Sequence, residues 1–145
     1  MKKIFKLIIL IYLTFFASMA FAKENFFDEA LKMYQNKNYE DARFMLERNI
    51  VFNPKDAKSY LYLAKIYNHE ENQKKEEYNL ETTLLIEPNN EEAILMLMNI
   101  ALKKSNYSKV KNLSETFTKV CKKLCDKNKE IQKSLKNIEP ENNES

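Results

Sequence analysis

From residue 23 onward, apolar positions recur at helical spacing. Tyr60, Leu63, Ala64 and Tyr67 follow an i, i+3, i+4, i+7 pattern, as do Ile94, Leu97, Met98 and Ala101. A second set of stripes runs through Tyr39, Ala42, Leu46 and Ile50, and through Val110, Leu113, Phe117 and Val120. Each stripe predicts an amphipathic helix with one buried face. Punctuation falls between them. Asn38, Asn72 and Asn106 precede the second set, where an asparagine side chain accepts an orphan backbone N–H as an N-cap. Asp56 and Asn90 stand in the same relation to helices of the first set. Pro54 and Pro88 fall where the preceding helix must stop.

The punctuation is periodic. Asn38, Asn72 and Asn106 are spaced by 34 residues, and so are Pro54 and Pro88, and Asp56 and Asn90. Three features sharing one period of this length indicate an internal repeat, each unit a helix pair. The units span about 23–56, 57–90 and 91–124. Beyond them, Ile131, Leu135 and Ile138 share a helical face, which predicts a capping helix over about 127–138. Residues 139–145, EPENNES, read as a disordered acidic tail. The fold class expected is all-α, with three helix-turn-helix repeats and a C-terminal cap.

On these residues the chain resembles the tetratricopeptide repeat family. Its signature is carried by YLYLAKIY from Tyr60 to Tyr67, by NYEDARFML from Asn38 to Leu46, and by Pro54 and Pro88. The chain departs from the family pattern at Glu76, where alanine is usual, and at Lys37, Glu71 and Ser105, where glycine is frequent. The resemblance implies a right-handed α-solenoid whose concave groove is lined by the first helix of each repeat. It also implies which positions face that groove: Glu24, Phe27, Leu31, Tyr34 and Gln35, then Lys58, Leu61, Lys65, Asn68 and His69, then Glu92, Leu95, Asn99, Leu102 and Lys103. Among these, Phe27, Leu31, Tyr34, Leu61, Leu95 and Leu102 would form an apolar strip edged by Lys65 and Asn99. A strip of that kind suits an apolar segment of another protein.

The first 22 residues have a different pattern. Lys2, Lys3 and Lys6 precede an uncharged apolar run, which closes on Ala20-Phe21-Ala22. This is the layout of a secretory signal peptide cleaved after Ala22, and it predicts a periplasmic or secreted protein. The uncharged stretch from Leu7 to Ala22 is shorter than the ~20 residues that span a bilayer. The leader takes three lysines and no acid from totals of 24 Lys plus Arg and 21 Asp plus Glu, leaving the mature chain balanced. A balanced, interspersed surface gives no reason to expect a nucleic acid partner. Lysine, asparagine and isoleucine dominate while arginine is limited to Arg43 and Arg48, a bias resembling that of AT-rich bacterial genomes.

The chain contains no glycine, which removes phosphate loops, dinucleotide fingerprints and nucleophile elbows. Its one histidine, His69, lies at a predicted helix end, where it can serve exposed carbonyls. The carboxylates Glu70, Glu71, Glu76 and Glu77 read as solvated faces. No nucleophile–base pair stands out, so an enzyme, a cofactor and a small-molecule substrate are not expected.

Cys121 and Cys125 are the only cysteines. In an oxidising compartment this spacing suits a structural disulfide at the junction between the third repeat and its cap. The alternative is a thiol-redox or copper-handling factor using the same pair, with the repeats as its docking surface. Against redox chemistry, the pair is expected at the end of a helix, where the dipole raises a thiol pKa. The primary functional expectation is a non-catalytic protein–protein interaction module of the bacterial envelope. A homo-oligomer, with the groove filled by its own partner chain, is a further reading.

Overall fold

The computed structural model describes residues 26–138. Among these residues there are seven α-helices and no strand: α1 (Phe26–Gln35), α2 (Tyr39–Phe52), α3 (Ala57–His69), α4 (Gln73–Ile86), α5 (Glu91–Lys103), α6 (Tyr107–Val120) and α7 (Cys125–Ile138). The leader and the acidic tail lie outside the described residues, as does Glu24. No helix among the described residues is long and apolar enough to cross a membrane.

The helix pairs close in the same way three times, and without glycine. Lys37, Glu71 and Ser105 have φ of 61°, 56° and 54°, the left-handed region that ends a helix. The next residue's N–H then reaches back five positions: Asn38 to the Met33 carbonyl at 2.9 Å, Asn72 to Tyr67 at 2.8 Å, and Asn106 to Ala101 at 2.8 Å. These are Schellman closures. Each asparagine then starts the next helix. Asn72 and Asn106 accept the N–H of Lys75 and Lys109 at 3.2 and 3.0 Å, and Asn90 accepts that of Ala93 at 3.0 Å. Two predicted caps do not form. Asn38 turns its amide to Asp41 Oδ2 at 2.6 Å, where a charged acceptor competes with the backbone. Asp56 instead accepts from the Asn49 amide and the Ser59 hydroxyl, both at 2.7 Å, joining α2 to α3.

Packing follows the repeat. Ala30, Ala42 and Leu46 of the first pair bury against Leu63, Ile66 and Tyr67 of α3. Leu61, Ala64 and Leu80 of the second pair bury against Ala93, Leu97 and Ile100 of α5. The third pair places Ile94, Met98, Ala101, Val110 and Phe117 against Ile131 and Leu135 of α7. Each pair's core is thus completed by the helix that follows it, and α7 covers the last one. A polar ladder sets the register of that cap. The Ser114 hydroxyl donates to Asn128 Oδ1 at 2.8 Å, and the Asn128 amide donates to Thr118 Oγ1 at 3.0 Å.

One core position breaks the pattern. Ala42, Glu76 and Val110 are equivalent in the 34-residue register, and all three are buried. Glu76 is therefore not on a solvated face as its sequence context suggested. Its carboxylate accepts the Asn68 amide at 2.9 Å, and burial raises its pKa, opposed by that hydrogen bond and by Lys103. Two other acids of the segment, Glu70 and Glu77, form ion pairs. Glu70 takes Arg43 at 2.8 Å, and its register equivalents appear one repeat on with the charges exchanged, as Lys104 with Glu77. Lys109 adds Glu77 at 2.7 Å and Glu81 at 3.1 Å.

Candidate functional site

One face of α1, α3 and α5 carries a continuous run of aromatic and charged contacts. The Tyr62 ring lies edge-on to Phe27 at 5.7 Å and to Tyr34 at 5.0 Å between centroids. Tyr34 continues to Tyr39 at 5.5 Å, and Tyr39 to His69 at 4.3 Å. Edge-to-face contacts at these distances hold the rings in fixed orientations. Two lysines border the ladder. Lys58 Nζ stands 6.0 Å from the Phe27 centroid, and Lys65 Nζ 4.5 Å from that of Tyr62. Lys65 also pairs with Glu92 of α5 at 2.9 Å, so the run spans all three first helices.

The aromatic end is half-buried rather than closed. Phe27, Leu31, Tyr34, Tyr62 and Lys65 each keep part of their surface in solvent. Burial, the neighbouring Tyr39 and Tyr62, and Glu92 raise the pKa of Tyr34, which keeps its hydroxyl neutral and able to donate. Beside Phe27 an open pocket of about 610 Å³ is lined by Asn49, Phe52, Asn53, Pro54, Lys55, Asp56 and Lys58. It combines apolar walls with two lysines and two side-chain amides.

The other groove positions divide. Asn99 is exposed, and Leu95 and Leu102 are half-buried against the cluster that includes Ile131 and Leu135. Leu61 is a correction. It is 7% exposed and packs with Ala64, Leu80, Ala93, Leu97 and Ile100 in the core between repeats two and three, leaving almost nothing to offer a ligand. Gln35, Asn68, His69 and Lys103 are exposed, while Glu92 is half-buried. Tyr62, at the centre of the ladder, was not singled out by the pattern, while Tyr39 was read only as part of the apolar stripe of α2. The signal lay in YLYLAKIY, where a tyrosine one place after the apolar stripe widens the face of α3 toward α1.

The cysteines form a disulfide, with Cα atoms 5.4 Å apart. They do not both lie at the end of one helix. Cys121 follows the last residue of α6, and Cys125 is the first residue of α7. The turn between them points its N–H groups at one carboxylate. Glu91, at the start of α5, accepts from Lys122 at 2.9 Å, Lys123 at 3.0 Å and Leu124 at 2.7 Å. The hydrogen bond from Leu124, followed by those from Lys123 and Lys122, lowers the Glu91 pKa. Glu91 was not legible as the anchor of this turn, because the contact joins residues more than thirty apart. Among the described residues, no group of three His, Cys, Asp or Glu side chains stands where it could hold a metal ion.

No family model matches the sequence, and no curated protein matches it. Solved structures do. The type III secretion chaperone SycD of Yersinia enterocolitica, in complex with a peptide of the translocator YopD, matches with a TM-score of 0.71 at 13% identity over 79% of this chain and 92% of that one. The Sgt2 TPR domain of Aspergillus fumigatus matches with 0.61 at 14% identity, covering 84% and 87%. A chain of the CopN–Scc3 complex matches with 0.61 at 14% identity, covering 79% and 67%. The fold is that of a tetratricopeptide repeat solenoid. At these identities the likeness is one of architecture, which the repeated Schellman closures and interleaved cores produce from a divergent sequence.

Proposed function

We propose that this protein is a non-catalytic interaction module that binds a segment of another protein in its concave groove. The observation that carries this reading is the half-open aromatic ladder Phe27–Tyr62–Tyr34, bordered by Lys58 and Lys65. Rigid aromatic faces beside lysine suit a segment with apolar or aromatic anchors and an acidic residue next to them. The likeness to SycD, whose structure holds a peptide of YopD, supports a peptide as the ligand class. The binding residues assigned are Phe27, Leu31, Tyr34, Tyr62 and Lys65, with Leu95, Asn99 and Leu102 as the less open half. The leader pattern supports cleavage after Ala22 and a periplasmic or secreted setting, and with it a partner in the cell envelope.

The thiol-redox and copper alternative receives less support. Both sulfurs are committed to the disulfide, and its turn is filled by a side chain of the protein itself.

A photo-crosslinker at Leu31, on the open side of the ladder, tests the groove. In native envelope extract it should give a discrete adduct whose peptide is read by mass spectrometry. A synthetic copy of that peptide should bind the protein, and Tyr62→Ala should weaken its binding by at least about 30-fold, as loss of a buried aromatic anchor does. Binding indifferent to Tyr62→Ala and Tyr34→Ala would exclude the groove.

A further inference from the structure

We propose that the outer face of α2 and α4 is a self-association surface, on which a second copy of this chain docks about a two-fold axis and leaves the groove open. The face is apolar where a solenoid's exterior should be polar. Phe44 and Val51 on α2 are 61% and 76% exposed, and Tyr78 and Leu85 on α4 are 67% and 84% exposed. Inner positions of the same helices, Leu46 and Leu80, are already buried, so the outer residues are surplus to the core. They are also ordered by the repeat: Phe44 and Tyr78, and Val51 and Leu85, are each 34 residues apart. In repeat three the equivalent residues are Asn112 and Lys119, which bounds the strip at α4.

Both helices pack on α3, and the Tyr67 side chain of α3 links them. Glu47 of α2 accepts the Tyr67 hydroxyl at 3.4 Å, and Lys75 of α4 stands 4.9 Å over the same ring. The four exposed apolar side chains present on the order of 500 Å². A stable interface needs about 800 Å² per partner, a total that a charged margin around the strip supplies.

Charge selects the occupant. One turn before Phe44 stand Glu40 and Asp41, and at the equivalent positions before Tyr78 stand Lys74 and Lys75, all four exposed. As equivalent members of successive repeats, α2 and α4 run in the same sense. A two-fold axis between them and along their direction sets α2 of one copy on α4 of the other at matched depth. Phe44 then meets Tyr78 of the second copy, Val51 meets Leu85 of the second copy, and the acidic pair meets the basic pair. The two-fold repeats each contact, giving an isologous and closed dimer.

Sedimentation of the protein purified from cells expressing the full chain tests this, with the N-terminus fixed by mass spectrometry. A dimer is expected at up to about 100 µM. Leu85→Asp should give monomer with an unchanged helical circular dichroism spectrum, since the side chain is outside the core. Glu40→Lys with Asp41→Lys should raise the dimer Kd about tenfold or more at low salt. Adding Lys74→Glu and Lys75→Glu to that variant should restore the dimer, because the charges are then exchanged and matched again. Three results would overturn the proposal: a monomer at every concentration, a dimer indifferent to Leu85→Asp, or a dimer lost with Tyr62→Ala, which would place it in the groove.

Discussion

Removing the disulfide by Cys121→Ser with Cys125→Ser separates two ways of holding the cap. The ring it closes has a sequence separation of only 4. By loop-closure entropy, a ring that small stabilises the fold by about 2 kcal/mol. Against this stand Ile131 and Leu135, each 7% exposed in the third core cluster. Burial of two such side chains contributes about 3–6 kcal/mol together. The Asn128 ladder adds register rather than much net energy, since its hydrogen bonds replace bonds to water. Packing therefore outweighs the disulfide. The double serine variant should lower the urea midpoint by about 1 M, given the usual dependence of stability on urea for a domain of this size. Amide exchange in residues 128–136 should stay protected relative to a free peptide. Ile131→Ala with Leu135→Ala should release α7 even with the disulfide intact, exposing Phe117 and Met98 beneath it. Hydrogen-exchange mass spectrometry on both variants gives the comparison. If the serine variant alone frees α7 while α3 to α6 stay protected, the disulfide holds the cap and the energetic ranking is wrong. An unchanged midpoint would mean that the ring constrains nothing the unfolded chain explores.

Glu76→Gln keeps an acceptor for Asn68 and removes the ionisation. Because burial raises the Glu76 pKa, its stabilising contribution is complete below the unfolded value near 4.3 and fades as pH rises through the folded one. The variant should match wild type at about pH 4 and melt higher at neutral pH, and a gap independent of pH would refute the assignment. At the helix starts, Asn72→Ala and Asn106→Ala should each cost about 1 kcal/mol in denaturant titrations. Asn38→Ala should cost clearly less, since its side chain makes no cap bond, and equal losses would contradict that reading. Glu71→Gly and Ser105→Gly relieve a left-handed backbone and should gain a few tenths to about 1 kcal/mol, after the greater entropy of an unfolded glycine is subtracted. A loss in thermal melts would show that these side chains contribute more than their conformation costs.

What the order of residues determined by itself is the local grammar. Helix starts at Tyr39, Gln73 and Tyr107, and at Ala57 and Glu91, keep the 34-residue spacing read from asparagine, proline and the apolar stripes. Capping, helix termination and amphipathic burial act over a few residues, so they are written in consecutive letters and survive where family signatures have faded. Even the missing glycines were legible, and the turns formed in the left-handed region without them. Tertiary structure decided the rest. The small offset between neighbouring helices buried Leu61 and brought Tyr62 onto Phe27 and Tyr34. Ion pairs such as Arg43 with Glu70, and the three hydrogen bonds that set Glu91 into the cysteine turn, join residues 27 to 33 positions apart. Such contacts arise from how the repeats are stacked. That stacking is the sum of many core contacts, each too weak and too distant along the chain to be read from any one stretch of it.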